Sequence, residues 1–95
     1  MDIAIADIVA STAGRDRGRL FYVVSTEGEY LRLADGRKRK VDDPKRKKRK
    51  HVCKITRTDS GIAQRLRAGE PVLNSELRRD LAANGQKINS QNQGG

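Results

Sequence analysis

The sequence predicts a small, mainly β domain: a strongly bent barrel of roughly five short strands with a short helical extension at its C-terminal end. Three observations lead there. Short apolar and β-branched runs recur between tight-turn signals from Ile3 to Ile55. The 95 residues include one Phe, two Tyr and no Trp, so one thin core is all the chain can build. After Ile55 the pattern changes, and apolar residues recur at helical spacing between capping residues.

Ile3 to Ala10 is an apolar run broken by Asp7 and reads as the first strand. Ile3, Ile5, Asp7 and Val9 share one face and Ala4, Ala6, Ile8 and Ala10 the other. Leu20 to Ser25 is the strongest strand signal, combining aromatic and β-branched residues. Leu20, Tyr22 and Val24 point one way, Phe21 and Val23 the other. Glu27-Gly28 reads as a hairpin turn into a third strand, Glu29 to Ala34, in which Leu31 and Leu33 alternate with Tyr30 and Arg32. Asp35-Gly36 predicts a second hairpin of the type I′ kind, leading into a charged edge strand over Arg37 to Val41. Asp42-Asp43-Pro44 ends that strand. Lys45 to Lys50 then reads as a basic loop, and His51 to Ile55 as a short closing strand. Gly61 to Ala68 has Ile62 and Leu66 four residues apart and is stopped by Gly69 and Pro71. Asn74 or Ser75 caps a second helix with Leu77 and Leu81 on one face and Gly85 as its stop. The expected division is therefore a barrel over 1–56, a helical extension over 57–88 and a disordered tail over 89–95, NSQNQGG.

The first turn carries the clearest local chemistry. Gly14-Arg15-Asp16-Arg17-Gly18-Arg19 is bracketed by glycines that can take positive φ. Asp16 is placed to accept hydrogen bonds from nearby backbone N–H groups. Arg15, Arg17 and Arg19 then project from a rigid corner, and each guanidinium presents a planar fork of donors suited to phosphate. An ordinary solvated hairpin is the plainer alternative.

Charge is concentrated elsewhere. The net charge is +9, and the segment Arg37 to Lys50 holds ten basic residues against Asp42 and Asp43, a net +8. These are Arg37, Lys38, Arg39, Lys40, Lys45, Arg46, Lys47, Lys48, Arg49 and Lys50. An internal run of this kind between structured segments implies a polyanionic partner, nucleic acid first and an anionic membrane surface second. The run reads as loop and strand rather than amphipathic helix, which argues against the membrane.

Cys53 is the one cysteine, which fits a reducing compartment and a buried, small apolar role. The N-terminal stretch has no basic n-region followed by a long apolar segment, and no run reaches transmembrane length. A soluble, cytoplasmic protein is expected.

The segment Ile8-Val9, then Gly14 to Arg19, then Leu20-Phe21-Tyr22-Val23-Val24 resembles the KOW motif, a β-hairpin signature of several ribosomal proteins and transcription elongation factors. The chain is similar to small stand-alone bacterial KOW-domain RNA-binding proteins, which in turn resemble a group of archaeal and eukaryotic large-subunit ribosomal proteins. Leu33-Ala34-Asp35-Gly36, Pro44-Lys45 and Lys50-His51-Val52 follow in the same order, and the resemblance covers about residues 5 to 55. Many KOW motifs place another glycine shortly after the turn, where this chain has Arg19-Leu20-Phe21. The resemblance implies an SH3-like barrel and RNA binding, and a ribosome-associated RNA-binding module is the leading expectation.

The site expected from these readings comprises Arg15, Arg17, Arg19, Arg37, Lys38, Arg39, Lys40, Lys45, Arg46, Lys47, Lys48, Arg49, Lys50 and His51, around the turn Gly14, Asp16 and Gly18. Phosphate neutralisation would dominate, with affinity falling steeply with salt. Tyr22 and Tyr30 are the aromatic side chains that could stack on bases, and core packing is the favoured role for both. His51 and Cys53 fall short of a zinc ligand set and have no orienting partner for nucleophilic chemistry. No metal, cofactor or enzymatic activity is expected, and the chain is expected to be monomeric. Two alternatives are a protein-docking module using Ile62, Leu66, Leu77 and Leu81, and a nonspecific DNA-binding basic protein.

Overall fold

The computed structural model describes residues 2–93, with side chains described through residue 85. It is a small, mainly β protein with one five-stranded antiparallel sheet and two helices. The strands are β1 (Asp7–Ser11), β2 (Leu20–Glu27), β3 (Tyr30–Ala34), β4 (Lys45–Lys48) and β5 (Val52–Arg57). A 3₁₀ turn, Arg49–His51, joins the last two. The sheet order is β4-β3-β2-β1-β5, which leaves β4 and β5 at the edges.

Period-two alternation divides the core between the two faces of the sheet. Val9, Phe21, Val23, Leu31, Leu33 and Val52 form one buried cluster with Ile3. Ile8, Tyr22 and Ala34 face the other way and are covered by Ala63 and Leu66 of α1 (Gly61–Ala68) and Leu77 and Leu81 of α2 (Asn74–Gln93). The facing read for Leu20 to Val24 is the one observed. The sheet is bent by register shifts between Ile8 and Val9 and between Val23 and Ser25. The bend brings Val52 on one edge strand into the same cluster as Leu31 and Leu33 beside the other edge.

Several boundaries differ from the sequence expectation. The first strand begins at Asp7 because the chain before it bends: Ala6 takes φ 73°, and Asp7 Oδ2 accepts the Ala4 N–H at 2.9 Å. The β2–β3 turn is Gly28-Glu29, one residue later than expected. The expected strand Arg37 to Val41 is not a strand. Asp35 Oδ1 instead accepts the N–H groups of Arg37 and Arg39, at 2.9 and 3.0 Å, and folds the chain back on itself. Gly36, at φ 76°, lies so close to α2 that a Cβ would overlap the Asn74 carbonyl. Asn74 Oδ1 accepts the Val41 N–H at 2.8 Å, and Arg78 Nη1 donates to the Gly36 carbonyl at 2.6 Å. The loop 35–44 is thus docked on the second helix rather than paired with β3.

The pairing partner of β3 is the run Lys45–Lys48, expected as a loop, with Leu31 opposite Lys47 and Leu33 opposite Lys45. His51 belongs to the 3₁₀ turn, and the closing strand starts at Val52. Cys53 is exposed, not buried, because it alternates with the inward Val52 at an edge.

Helix α1 has the bounds read from the sequence. The Ser60 side chain accepts from the Ala63 N–H, and Gly69 closes the helix at φ 74°. Helix α2 continues through Gly85 to Gln93 instead of stopping. The expected tail 89–95 lies among residues whose side chains are outside the described residues, as is the backbone of its last two. The docking face considered for Ile62, Leu66, Leu77 and Leu81 is turned onto the sheet, where Leu66 and Leu77 are buried. Tyr22 Oη hydrogen-bonds the Asp80 carboxylate and ties β2 to α2; burial, with that carboxylate next in weight, pushes the phenol well above its ordinary range. An Arg65–Glu76 ion pair links the two helices, and Glu76 Oε1 also accepts the Leu73 N–H at 3.0 Å. Among the described residues, no helix is long and apolar enough to cross a membrane.

Candidate functional site

The β1–β2 turn has the glycine-bracketed form, with Gly14 at φ 83° and Gly18 at φ 87°. Its hydrogen bonds run Gly18 N–H to the Ser11 carbonyl at 2.8 Å and Arg19 N–H to the Asp16 carbonyl at 2.9 Å. Among the described residues, no backbone N–H donates to the Asp16 carboxylate, contrary to the expectation. Asp16 is buried, and its carboxylate accepts from Ser11 Oγ at 2.8 Å, Lys47 Nζ at 2.7 Å and Lys45 Nζ at 2.6 Å. Burial alone would raise the Asp16 carboxyl, but the hydrogen bonds from Lys45, Lys47 and Ser11 outweigh it and hold the group well below the usual carboxylate range.

Lys45 and Lys47 reach the turn because they alternate onto the same face of β4 as Leu31 and Leu33. Lys47 is 8 % exposed, and Nζ donates to Asp16, to Ser11 Oγ at 2.7 Å and to the Ala13 carbonyl at 2.7 Å. All three ammonium donors are therefore used inside the protein. Lys45 keeps a partly exposed ammonium at the margin of the same network.

The turn and the loop 35–44 close on a cleft of about 240 Å³ lined by Arg15, Asp16, Arg19, Phe21, Asp35, Lys38, Arg39 and Lys45. Five cations from three stretches of the chain meet there. Arg15, Arg19, Lys38 and Arg39 are exposed. Of the two carboxylates, Asp16 is committed to Lys45 and Lys47, and Asp35 to the backbone N–H groups of its own loop. The cleft therefore presents a surplus of positive charge against fixed, hydrogen-bonded carboxylates.

The other expected residues are dispersed. Arg17 is exposed on the turn outside the cleft, and Lys40 on the loop. Arg37 lines a separate cleft with Leu20 and Arg78. Arg46 and Lys48 lie on the opposite face of β4 from Lys45 and Lys47. Lys48, Arg49 and Lys50 border a cleft of about 230 Å³ with Glu29. Arg49 also braces the chain, donating to the Gly28 carbonyl at 2.7 Å and the Ile3 carbonyl at 3.1 Å. His51 is half-buried, and its carbonyl accepts the Thr12 N–H at 2.8 Å.

Sequence reading did not place Asp35 or Phe21 in the site, nor Lys47 in the interior. Asp-Gly-x at 35–37 carried a usable signal for Asp35, since Asp side chains cap their own turns. The two tyrosines separate: Tyr22 is core, whereas Tyr30 is half-buried, with the Arg46 guanidinium carbon 3.8 Å from its ring centroid. No protein-family model matches this chain, and no curated protein matches it in sequence.

Proposed function

We propose that this protein is an RNA-binding module of the KOW type, with an SH3-like barrel, that associates with ribosomal or other structured RNA in the cytoplasm as a monomer. The observation that carries the reading is the meeting of two separately predicted basic groups, the corner arginines and the 37–50 run, at one cleft. Phosphates spaced along a backbone are the polyanion such a cleft suits: Arg15, Arg19 and Arg39 offer bidentate donors, and Lys38 and Lys45 point charges. Lys47 is a positioning residue in this reading, holding Asp16 and the turn rather than touching phosphate. Barrel closure is supported by the two bulges, by the cluster that Val52 shares with Leu31 and Leu33, and by Lys47 of β4 reaching Ser11 of β1.

Cosedimentation from lysate, with and without nuclease and at low and high salt, tests the proposal. The full chain is expected to travel with ribosomal particles and to be released by nuclease, by salt, and by combined Arg15→Ser, Arg19→Ser, Lys38→Ser and Arg39→Ser changes. Retention in a protein complex after nuclease, or equal affinity for duplex DNA and structured RNA, would overturn it.

A further inference from the structure

On the face of the sheet opposite Lys45 and Lys47, β3 and β4 set Tyr30 opposite Lys48 and Arg32 opposite Arg46. The same face is covered further along, at Ala34 and Tyr22, by α1 and α2. At the Tyr30 end it is open: Tyr30 and Arg32 are half-buried and Arg46 is exposed. The Arg46 guanidinium lies at stacking distance on the tyrosine ring, 3.8 Å from its centroid, and Lys48 Nζ is 5.9 Å from the same ring. Arg32 is held aside by Glu27, Nε to Oε1 at 2.6 Å. No described residue forms an ion pair with Arg46 or Lys48.

We propose that this Tyr30–Arg46 stack is a platform for an unpaired base of the bound RNA. The inference rests on the RNA-binding reading and adds the kind of RNA: one with an unstacked nucleotide, not a uniform duplex. The tyrosine ring lies against the guanidinium of an exposed Arg46, which leaves that side chain surface to receive a base; Arg planes and aromatic rings are the surfaces on which splayed bases stack. Phosphate contact alone would need no ring beneath the cation. Position along the chain links the platform to the cleft. Lys45 and Arg46 are adjacent, about 3.8 Å apart at Cα, and point to opposite sides of an edge strand. A strand of RNA that leaves the cleft at Lys45 and rounds this edge strand meets the face that carries Arg46.

The test measures affinity of the full chain for two probes, a short oligoadenylate and a duplex RNA of the same length. Tyr30→Ala and Arg46→Lys are each expected to weaken oligoadenylate binding about tenfold and to leave duplex binding unchanged, while Tyr30→Phe keeps both. Arg46→Lys retains the charge and the surface position, so its effect reads the lost planar group rather than folding or phosphate attraction. If Arg46→Lys leaves oligoadenylate binding intact, or weakens both probes by the same factor, the platform is refuted and RNA binding stands. If the unaltered chain binds neither probe nor structured RNA, the RNA reading fails and the platform with it.

Discussion

Neighbouring lysines of the basic run have opposite tasks. Lys47 is buried on Asp16, and Lys50 is exposed two residues beyond the end of β4. Lys47→Ala leaves Asp16 with Lys45 and Ser11 but removes the enclosed cation and its charge-assisted hydrogen bonds, so it should cost roughly 2 kcal/mol. Lys50→Ala should stay within about 0.5 kcal/mol. Urea unfolding of the two variants checks this, and equal effects would contradict the buried pairing. The same network sets an acid response. The Asp16 carboxyl is lower in the folded protein than in the unfolded chain. Its contribution is therefore fully present above the unfolded carboxylate pKa of about 4 and is lost as pH falls below it. Asp16→Asn should lower stability at neutral pH and flatten the loss between about pH 4 and pH 2 in acid titrations followed by circular dichroism. The charge of the run is plain in the sequence. That Lys45 and Lys47 turn inward is not, because Pro44 and the density of charge read as loop, and only pairing with Leu33 and Leu31 imposes the two-residue alternation.

Among the elements, the loop 35–44 decides whether the cleft exists. It is held by the Asp35 turn, by the Val41 and Gly36 contacts to α2, and by the close approach of Gly36 to Asn74. Gly36→Ala combines positive φ with overlap on the helix backbone, and should cost roughly 2 kcal/mol. It should also weaken RNA binding, by displacing Lys38 and Arg39; a variant of unchanged stability and affinity would show that the loop is not docked in this way. Ser60→Ala, which removes the α1 cap, should cost about 1 kcal/mol and leave RNA affinity unaltered. Helix α1 is legible because the Ile62–Leu66 spacing and the Gly69 stop are local signals; its Ser60 cap is seen in the structure. The fourth strand was misplaced because Asp35-Gly36 carries the same local signal whether it closes a hairpin or begins a docked loop. The helix that settles the matter lies more than thirty residues away.

For the whole molecule, the helices complete the fold by covering the second face of the sheet. A chain ending after Arg57 would expose Ile8, Tyr22 and Ala34 and should self-associate or lose cooperative unfolding; sedimentation velocity reads the first and thermal unfolding the second. Electrostatics also acts at this scale. Under the proposed RNA-binding function, affinity should fall linearly with the logarithm of salt concentration, and each cleft cation removed should lessen the slope by about one. Filter binding across salt concentrations measures it, and a slope unmoved by Arg15→Ser with Lys38→Ser would place the phosphates elsewhere.

By itself, the sequence determined what depends on near neighbours: the alternation of Leu20 to Val24, the glycine-bracketed turn, the bounds of α1 and the concentration of positive charge. Each is written in residues a few positions apart. Tertiary structure alone decided which basic residues face solvent and which are enclosed, and which run pairs with β3. It also brought Arg15 and Arg19 beside Lys38 and Arg39, and laid Arg46 on Tyr30. Those outcomes depend on where distant segments dock, and the energy that fixes them lies in burial and in charge pairs between residues far apart in the chain.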